Sequence, residues 1–208
     1  MKNVSLVVIA YAALCAGAQA QVTFNMVVSA GAAACLPYAA ATVTITPNGL
    51  VDVMDVSVSG LPPNTDFDFF VIQLPKAPFG ISWYQGDIAT DDYGQGSGEF
   101  VGIFSIETFT VAPGTGPAPV VFTGGFPDAS SNPPFNPVHT YHLGLWFDSP
   151  DDAAANGCAN AVTPFNGPHT AGIQVLNTSN FPDLQGPLYQ VTSAPSRTLR
   201  ARPARAAR

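Results

Sequence analysis

The chain has 208 residues and a formal net charge of −7, with 47% hydrophobic and 10% charged side chains, 20 prolines and 19 glycines. So much apolar material supplies a sizeable core, and so many breakers exclude a helical bundle or coiled coil in favour of short strands and turns. All fourteen acidic residues lie between Asp52 and Asp183, and Lys76 is the one basic side chain between residues 21 and 194. That balance excludes nucleic acid as a ligand of the body, because phosphate contacts need clustered lysine and arginine.

In chain order, Met1-Lys2-Asn3 carries a positive charge, Val4 to Ala13 is apolar, and Gly17-Ala18-Gln19-Ala20 places small residues at a cleavage site. Residues 1–20 are therefore expected to be a secretory signal peptide cut after Ala20. The run is shorter than the ~20 residues a membrane helix needs, and no later stretch qualifies, so no transmembrane segment is expected. Leu14 before Cys15 is larger than the residue a lipoprotein signal places there. The expected destination is extracellular, periplasmic or cell-surface.

Val22 to Val28 reads as a first strand, and the alanine-rich residues 30 to 41 around Cys35 and Pro37 as a loop. Thr42 to Thr46 alternates β-branched residues with period two, and Pro47-Asn48-Gly49 supplies a turn. Val51 to Val58 is a further strand. Pro62-Pro63-Asn64 then breaks the ladder, and Phe67, Phe69 and Val71 line one face of the next strand while Phe70 and Ile72 line the other. Such a strand belongs in the middle of a sheet. Beyond a turn-rich crossing at 75–80, a short strand is expected over Ile81 to Gln85, a hairpin loop over Asp91 to Gly96, and a long strand from Glu99 to Val111. Residues 113–137 read as an exposed proline- and glycine-rich excursion. His139 to Phe147 is a strand, Asp151 to Asn156 one helical turn, and Thr170 to Leu176 the last strand. About eight or nine strands in two packed layers make an antiparallel β-sandwich with long Pro/Gly-rich loops, a single domain over residues 21–194. Residues 195–208 lack an apolar pattern and are expected to be disordered.

Leu61-x-Pro63-x-Thr65-x-Phe67-x-Phe69-x-Val71 resembles the E–F corner of fibronectin type III and related immunoglobulin-like domains. The resemblance covers this corner alone and implies an immunoglobulin-like sandwich, with Phe67 where those families place a tyrosine. The segments HTYHLGLWFDSP and GIQVLNTSNFPDLQGPL are similar to secreted bacterial proteins of uncharacterised function.

Once Cys15 leaves with the signal, Cys35 and Cys158 remain, and an oxidising compartment favours their pairing over two separate buried thiols. The serine-elbow, zinc-helix and phosphate-loop signatures do not occur, so no catalytic residue is assigned. Glu99 and Glu107 would lie about 26 Å apart along one strand, too far for a glycosidase pair. His139 and His142, three apart on a strand, would face opposite sides and share no metal without a bulge, although His169 could join one of them. Asp87, Asp91, Asp92 and Glu99 around a glycine-rich loop are candidate calcium ligands, and Asp148, Asp151 and Asp152 form a second acidic group. Neither has the calcium-loop spacing, and acidic loops also serve as turns. No cofactor is expected beyond that calcium alternative. Trp83, Tyr84 and Tyr93 are candidate ligand-stacking aromatics, set against core packing as their ordinary use. Asn177-Thr178-Ser179 is a formal glycosylation acceptor.

The expected function is a non-catalytic extracellular surface, matrix or ligand-binding protein. The alternatives are a hydrolase using scattered aspartates and a calcium-dependent binding module. Arg197, Arg200, Arg202, Arg205 and Arg208 close the chain. This tail can contact an external polyanion, lie on the acidic body, or have no partner. If it takes a polyanion, heparin should retain the mature chain at 0.1 M salt and release it toward 1 M, as the Debye length falls from about 10 to 3 Å. Equal retention of a chain ending at Ala194 would exclude that role.

Overall fold

A computed structural model describes residues 21–49, 51–104, 109–110, 138–164 and 170–191. The expected signal segment, the arginine tail, the proline-rich stretch 113–137, Glu107 and His169 lie outside them.

Strands form both where apolar residues alternate with period two and where short runs are buried on both faces. They are β1 (Val22–Val28), β2 (Ala40–Asn48), β3 (Val51–Ser59), β4 (Asp66–Ile72), β5 (Ser82–Ala89), β6 (Gly96–Gly102), β7 (Phe109–Thr110), β8 (Val138–His139), β9 (His142–Phe147), β10 (Thr163–Pro164), β11 (Thr170–Ala171) and β12 (Gln174–Asn177). One short helix, α1 (Pro150–Ala155), and a 3-10 turn at Pro187–Gln190 complete the described elements. Eight strands make one antiparallel sheet in the order β5-β4-β9-β12-β1-β2-β3-β6, while β7–β8 and β10–β11 are separate two-stranded ribbons. The end strands meet at a single bridge, Thr90 to Gly96, so the sheet curls into a nearly closed barrel. β1 joins the two runs of strands into this one sheet: its Val22–Met26 pair with β2 and its Val27 and Val28 with β12.

Several expected boundaries move. Pro47 and Asn48 stay in β2, opposite Asp52 and Val51, because they lie past the last β1 partner of that strand, where a missing amide removes no bond on that side. β5 runs three residues longer than alternation alone suggested, carried by seven pairings with β4. The expected strand 99–111 ends at Gly102, where the Phe104 amide turns to the buried Asp52 carboxylate at 2.8 Å. The expected strand 139–147 divides at Thr140–Tyr141, because the Tyr141 carbonyl accepts the Leu188 amide at 3.2 Å. The last expected strand divides at Gly172–Ile173 for the same kind of reason: Gly172 donates to Phe147 and Phe147 to Ile173. The helical turn starts one residue early because Ser149 caps it, accepting the Asp152 amide at 3.1 Å, and Pro150 suits the first turn.

The inner face carries Phe24, Met26, Val43, Ile45, Met54, Val56, Phe67, Phe69, Val71, Leu143, Leu145 and Phe147, all buried. Phe67 pairs with Phe147, their rings 5.0 Å apart. Phe69 stacks on Phe100 at 5.2 Å. Cys35 and Cys158 form a disulfide, Cα atoms 5.2 Å apart, across a sequence separation of 123. A loop of that length loses roughly 4–5 kcal/mol of unfolded-chain freedom in the chain-entropy model. With Phe69 wholly enclosed, Phe69→Ala should lower the urea-unfolding free energy by about 3–5 kcal/mol, while Val101→Ala on the exposed face should change it by less than about 0.5. A loss below about 1 kcal/mol at Phe69 would contradict the placement of β4.

Candidate functional site

The outward face of β4 begins with a carboxylate in a run of aromatics. Asp68 is 9% exposed, and the next residues on its face are Phe70 and Ile72, which cluster with Trp146, Ala171 and the partly buried Phe79. Its ladder partners are Asp87 on β5 and Trp146 on β9. Asp148 follows β9, its amide donating to the Asp66 carbonyl at 3.2 Å.

Tyr84 and Asp87 reach this face together through an irregularity in β5. Residues three apart on a regular strand face opposite sides. Phe69 pairs with Gly86 but Phe70 with Tyr84, so Gln85 is an extra, bulged residue that returns Tyr84 to the face of Asp87. Gly86 makes the bulge possible: its φ is 151°, and a Cβ there would stand 3.1 Å from the Phe100 ring. The Tyr84 hydroxyl donates to Asp87 Oδ1 at 2.6 Å, and its ring meets Phe70 edge-on at 5.5 Å.

Asp68 therefore sits beside two other carboxyl groups, Asp87 across the β4–β5 ladder and Asp148 beyond the end of β9. Burial pushes its pKa up to about 7, and the charges of Asp148 and Asp87 push the same way. Burial first, then the bond to Asp87, also raises the Tyr84 hydroxyl. Lys76, the one Lys or Arg between residues 21 and 194, is not among the groups that act on Asp68, so burial and two neighbouring carboxylates favour its neutral form. Asp68 in such a group can give or take a proton near neutrality. The group differs from a glycosidase pair, whose carboxyl groups stand apart with the sugar between them.

The four candidate calcium ligands are not assembled into one site. Asp87 belongs to the carboxyl group just described. Asp91 Oδ1 accepts the amides of Tyr93 and Gln95 at 2.8 and 2.9 Å, closing a turn, and Asp92 Oδ1 accepts from Asn64 at 3.0 Å. Glu99 lies on β6 opposite Asp55. Among the described residues no group of three or more His, Cys, Asp or Glu side chains is arranged to hold a metal ion. The second acidic group divides as well: Asp148 faces Asp68, whereas Asp152 bonds the Ser149 cap. His142 is on β9 and His139 on the separate ribbon, not on one strand; the His142 ring nitrogens engage Thr178 Oγ1 at 2.9 Å and the Asp183 carbonyl at 3.0 Å.

The aromatic candidates are solvent-facing, Trp83 at 64%, Tyr84 at 50% and Tyr93 at 83% exposure. They do not form one surface, because Trp83 pairs with Val71 and Tyr84 with Phe70, on opposite faces. Asn177 is buried within β12, its amide nitrogen donating to Gln174 Oε1 at 2.8 Å, so it presents no acceptor in the folded chain. Reading by spacing missed Asp68 and its junction with Asp148. The available signal was a lone carboxylate inside Phe67-Asp-Phe-Phe-Val71, a strand with both faces covered. No protein-family model matches the chain, and no curated protein matches it either.

Because the folded Asp68 keeps its proton up to about pH 7 and its ordinary value is 3.8, this group favours the folded state most at low pH. That contribution falls away as pH rises from about 4 through about 7. Asp68→Asn should thus gain stability relative to the wild type over that interval, measured by urea unfolding at successive pH values. A difference that stays constant from pH 4 to 8 would remove the raised Asp68 pKa from the account.

Proposed function

We propose that the mature chain is an exported, non-catalytic ligand-binding or surface protein built on a disulfide-tied antiparallel β-domain. The observation that carries the reading is Trp83, a large apolar side chain left 64% exposed on a strand held by seven pairings with β4 on either side of one bulge. Leaving such a ring in water forgoes burial energy of roughly 1.5–3 kcal/mol, which a ligand could recover. The N-terminal signal pattern and the Cys35–Cys158 disulfide support export, and among the described residues no helix is long and apolar enough to cross a membrane. The immunoglobulin-like relationship implied by the corner is part of this proposal. Its support is that residues 60–65 carry the chain from β3, in one half of the sheet, to β4, in the other, as an E–F corner does.

A hydrolytic second reading has one observation in its favour, the near-neutral carboxyl pair beside Trp146. Against it, Trp146 is wholly buried, and Asp68 and Asp87 are direct ladder partners rather than carboxyls flanking a space for substrate.

A panel of glycans, metal ions including calcium, and small polar ligands, screened by thermal shift, separates the readings. A ligand at one hundred times its Kd should add about 2.7 kcal/mol of stability. Binding near Trp83 should reduce acrylamide quenching of the wild type and leave quenching of Trp83→Phe, which retains the buried Trp146, unchanged. Turnover of a panel compound that disappears in Asp68→Asn would replace the binding reading with the hydrolytic one.

A further inference from the structure

The chain that follows β12 crosses the end of β9 as an arch. Phe181 anchors one foot, edge-on to Phe24 at 5.9 Å, and Leu188 and Val191 anchor the other in the core. Between the feet Pro182, Asp183, Leu184 and Gln185 stand exposed, Leu184 at 80%. Gly186 ends the span hard against β9, where a Cβ would come within 2.1 Å of the Tyr141 carbonyl oxygen and 2.9 Å of the His142 ring.

Under this span lies His142, a wholly enclosed titratable side chain. Its Nε2 is 3.0 Å from the Asp183 carbonyl on the span, and its Nδ1 is 2.9 Å from Thr178 Oγ1 at the end of β12. These partners assign the ring's proton. A carbonyl only accepts, so Nε2 carries hydrogen and donates to Asp183. The Thr178 hydroxyl already accepts the Leu143 amide at 3.1 Å, and its own hydrogen has two places to go. The Leu143 carbonyl is 3.5 Å away, beyond a good hydrogen bond, whereas Nδ1 is at 2.9 Å. Thr178 therefore donates to a bare Nδ1, and the enclosed ring is the neutral Nε2–H form.

We propose that His142 and Thr178 form an acid-sensitive latch, which on protonation frees the span over residues 182–186 while both feet stay anchored. A proton added at Nδ1 turns the Thr178 hydroxyl hydrogen toward the distant Leu143 carbonyl and charges a ring that water does not reach. The ring's direct partners are a hydroxyl and a carbonyl, neither of them charged. The carboxylate that acts on it belongs to Asp183, on the exposed span itself. From β4 the neighbour is apolar Ile72, and beside Tyr141 lie the other titratable rings, His139 stacked at 4.8 Å and Tyr189 edge-on at 5.4 Å. Burial outweighs the influence of Asp183, and the pKa of the enclosed ring is lowered. Opening the span returns the ring to water, where it takes a proton near pH 6.5. The latch is therefore complete above that pH, and acid draws the equilibrium toward the open form. Opening bares Tyr141 and His142, otherwise 7% and 0% exposed, so pH sets the accessibility of this end of β9.

Amide exchange on the mature chain tests the latch. The Gln185 and Tyr189 amides, which bond the Pro182 and Gly186 carbonyls, should lose protection about tenfold per unit of pH below the ordinary histidine value, after correction for intrinsic exchange. The Val43 amide in β2 should keep its protection. His142→Gln should abolish the slope, because its amide can donate to Asp183 and accept from Thr178 but does not titrate. Nitrogen chemical shifts of the wild-type ring give a readout that needs no variant, and at neutral pH they should show a bare Nδ1 and a protonated Nε2. An Nδ1–H form or a charged ring at neutral pH would overturn the latch. So would span protection that is unchanged in acid, or a slope that persists in a folded His142→Gln variant.

Discussion

Phe69 has Leu145 across the ladder and the Phe100 ring stacked at 5.2 Å, and on the reverse side of the same strand Phe70 meets Trp146 edge-on at 5.4 Å. This double burial of β4 fixes much of what surrounds it. A strand covered on both faces cannot shift register by one residue without exchanging its two apolar sets, so its pairing with β9 and β5 is specified from both sides. The Pro62-Pro63 corner is in turn tied down by Thr90, whose hydroxyl donates to the Pro62 carbonyl at 2.6 Å and accepts the Thr65 amide at 3.0 Å. The same threonine forms the bridge to Gly96 that brings the ends of the sheet together. The corner and the barrel closure are therefore one structural unit.

That closure is narrow. Past the Thr90–Gly96 bridge, β5 and β6 are joined by packing, with Phe100 over Gly86 and Ile88 against Gly96 and Gly98, rather than by a further ladder. The bulge at Gln85 bends β5, as bulges do, and carries Tyr84 to the outer face beside Asp87. One irregular residue thus brings the Tyr84 phenol to carboxyl groups that the Asp68–Asp87 ladder pair already joins. A regular β5 would separate Tyr84 from Asp87 and leave the Asp87 carboxylate without its phenol donor.

The sequence showed these features unevenly, and the reasons are physical. The apolar alternation of Val43, Ile45, Met54 and Val56 and the two-faced pattern of Phe67 to Ile72 gave the class of fold and the central position of β4 directly. The cysteine pair was also legible, because only two remained once the signal was set aside. Strand ends were not. Gly102, Tyr141 and Gly172 end or interrupt strands because particular backbone groups are claimed by distant residues, Asp52, Leu188 and Phe147. No local pattern encodes those partners. The carboxyl group was hidden for a similar reason. Asp87 was grouped with Asp91 and Asp92 by proximity in sequence, whereas a sheet brings together residues of different strands, here Asp68 and Asp148. The β5 bulge, which decides the face of Tyr84, left only Gly86 as a trace.

Two buried titratable groups pull stability in opposite directions with pH, and their positions explain why both are tolerated. His142 is wholly enclosed, and burial lowers its pKa against the opposing influence of the carbonyls of Asp183 and Pro182 and the Asp183 charge. The unfolded chain takes up a proton near 6.5 that the folded chain resists, so the contribution of His142 is present above that pH and lost as pH falls through it. Asp68 has the reverse sign, favouring the fold at low pH and losing that contribution toward pH 7. Around pH 6 the two slopes oppose each other, which flattens the response of the whole domain. His142 brackets the segment after β12 onto β9, whereas Asp68 joins β4 to β5, so the compensation acts between opposite edges of one half-sheet. An acidic excursion should therefore loosen the residue 178–186 segment first, and an alkaline one the β4–β5 pair, a division that the total stability conceals but amide exchange at each edge resolves.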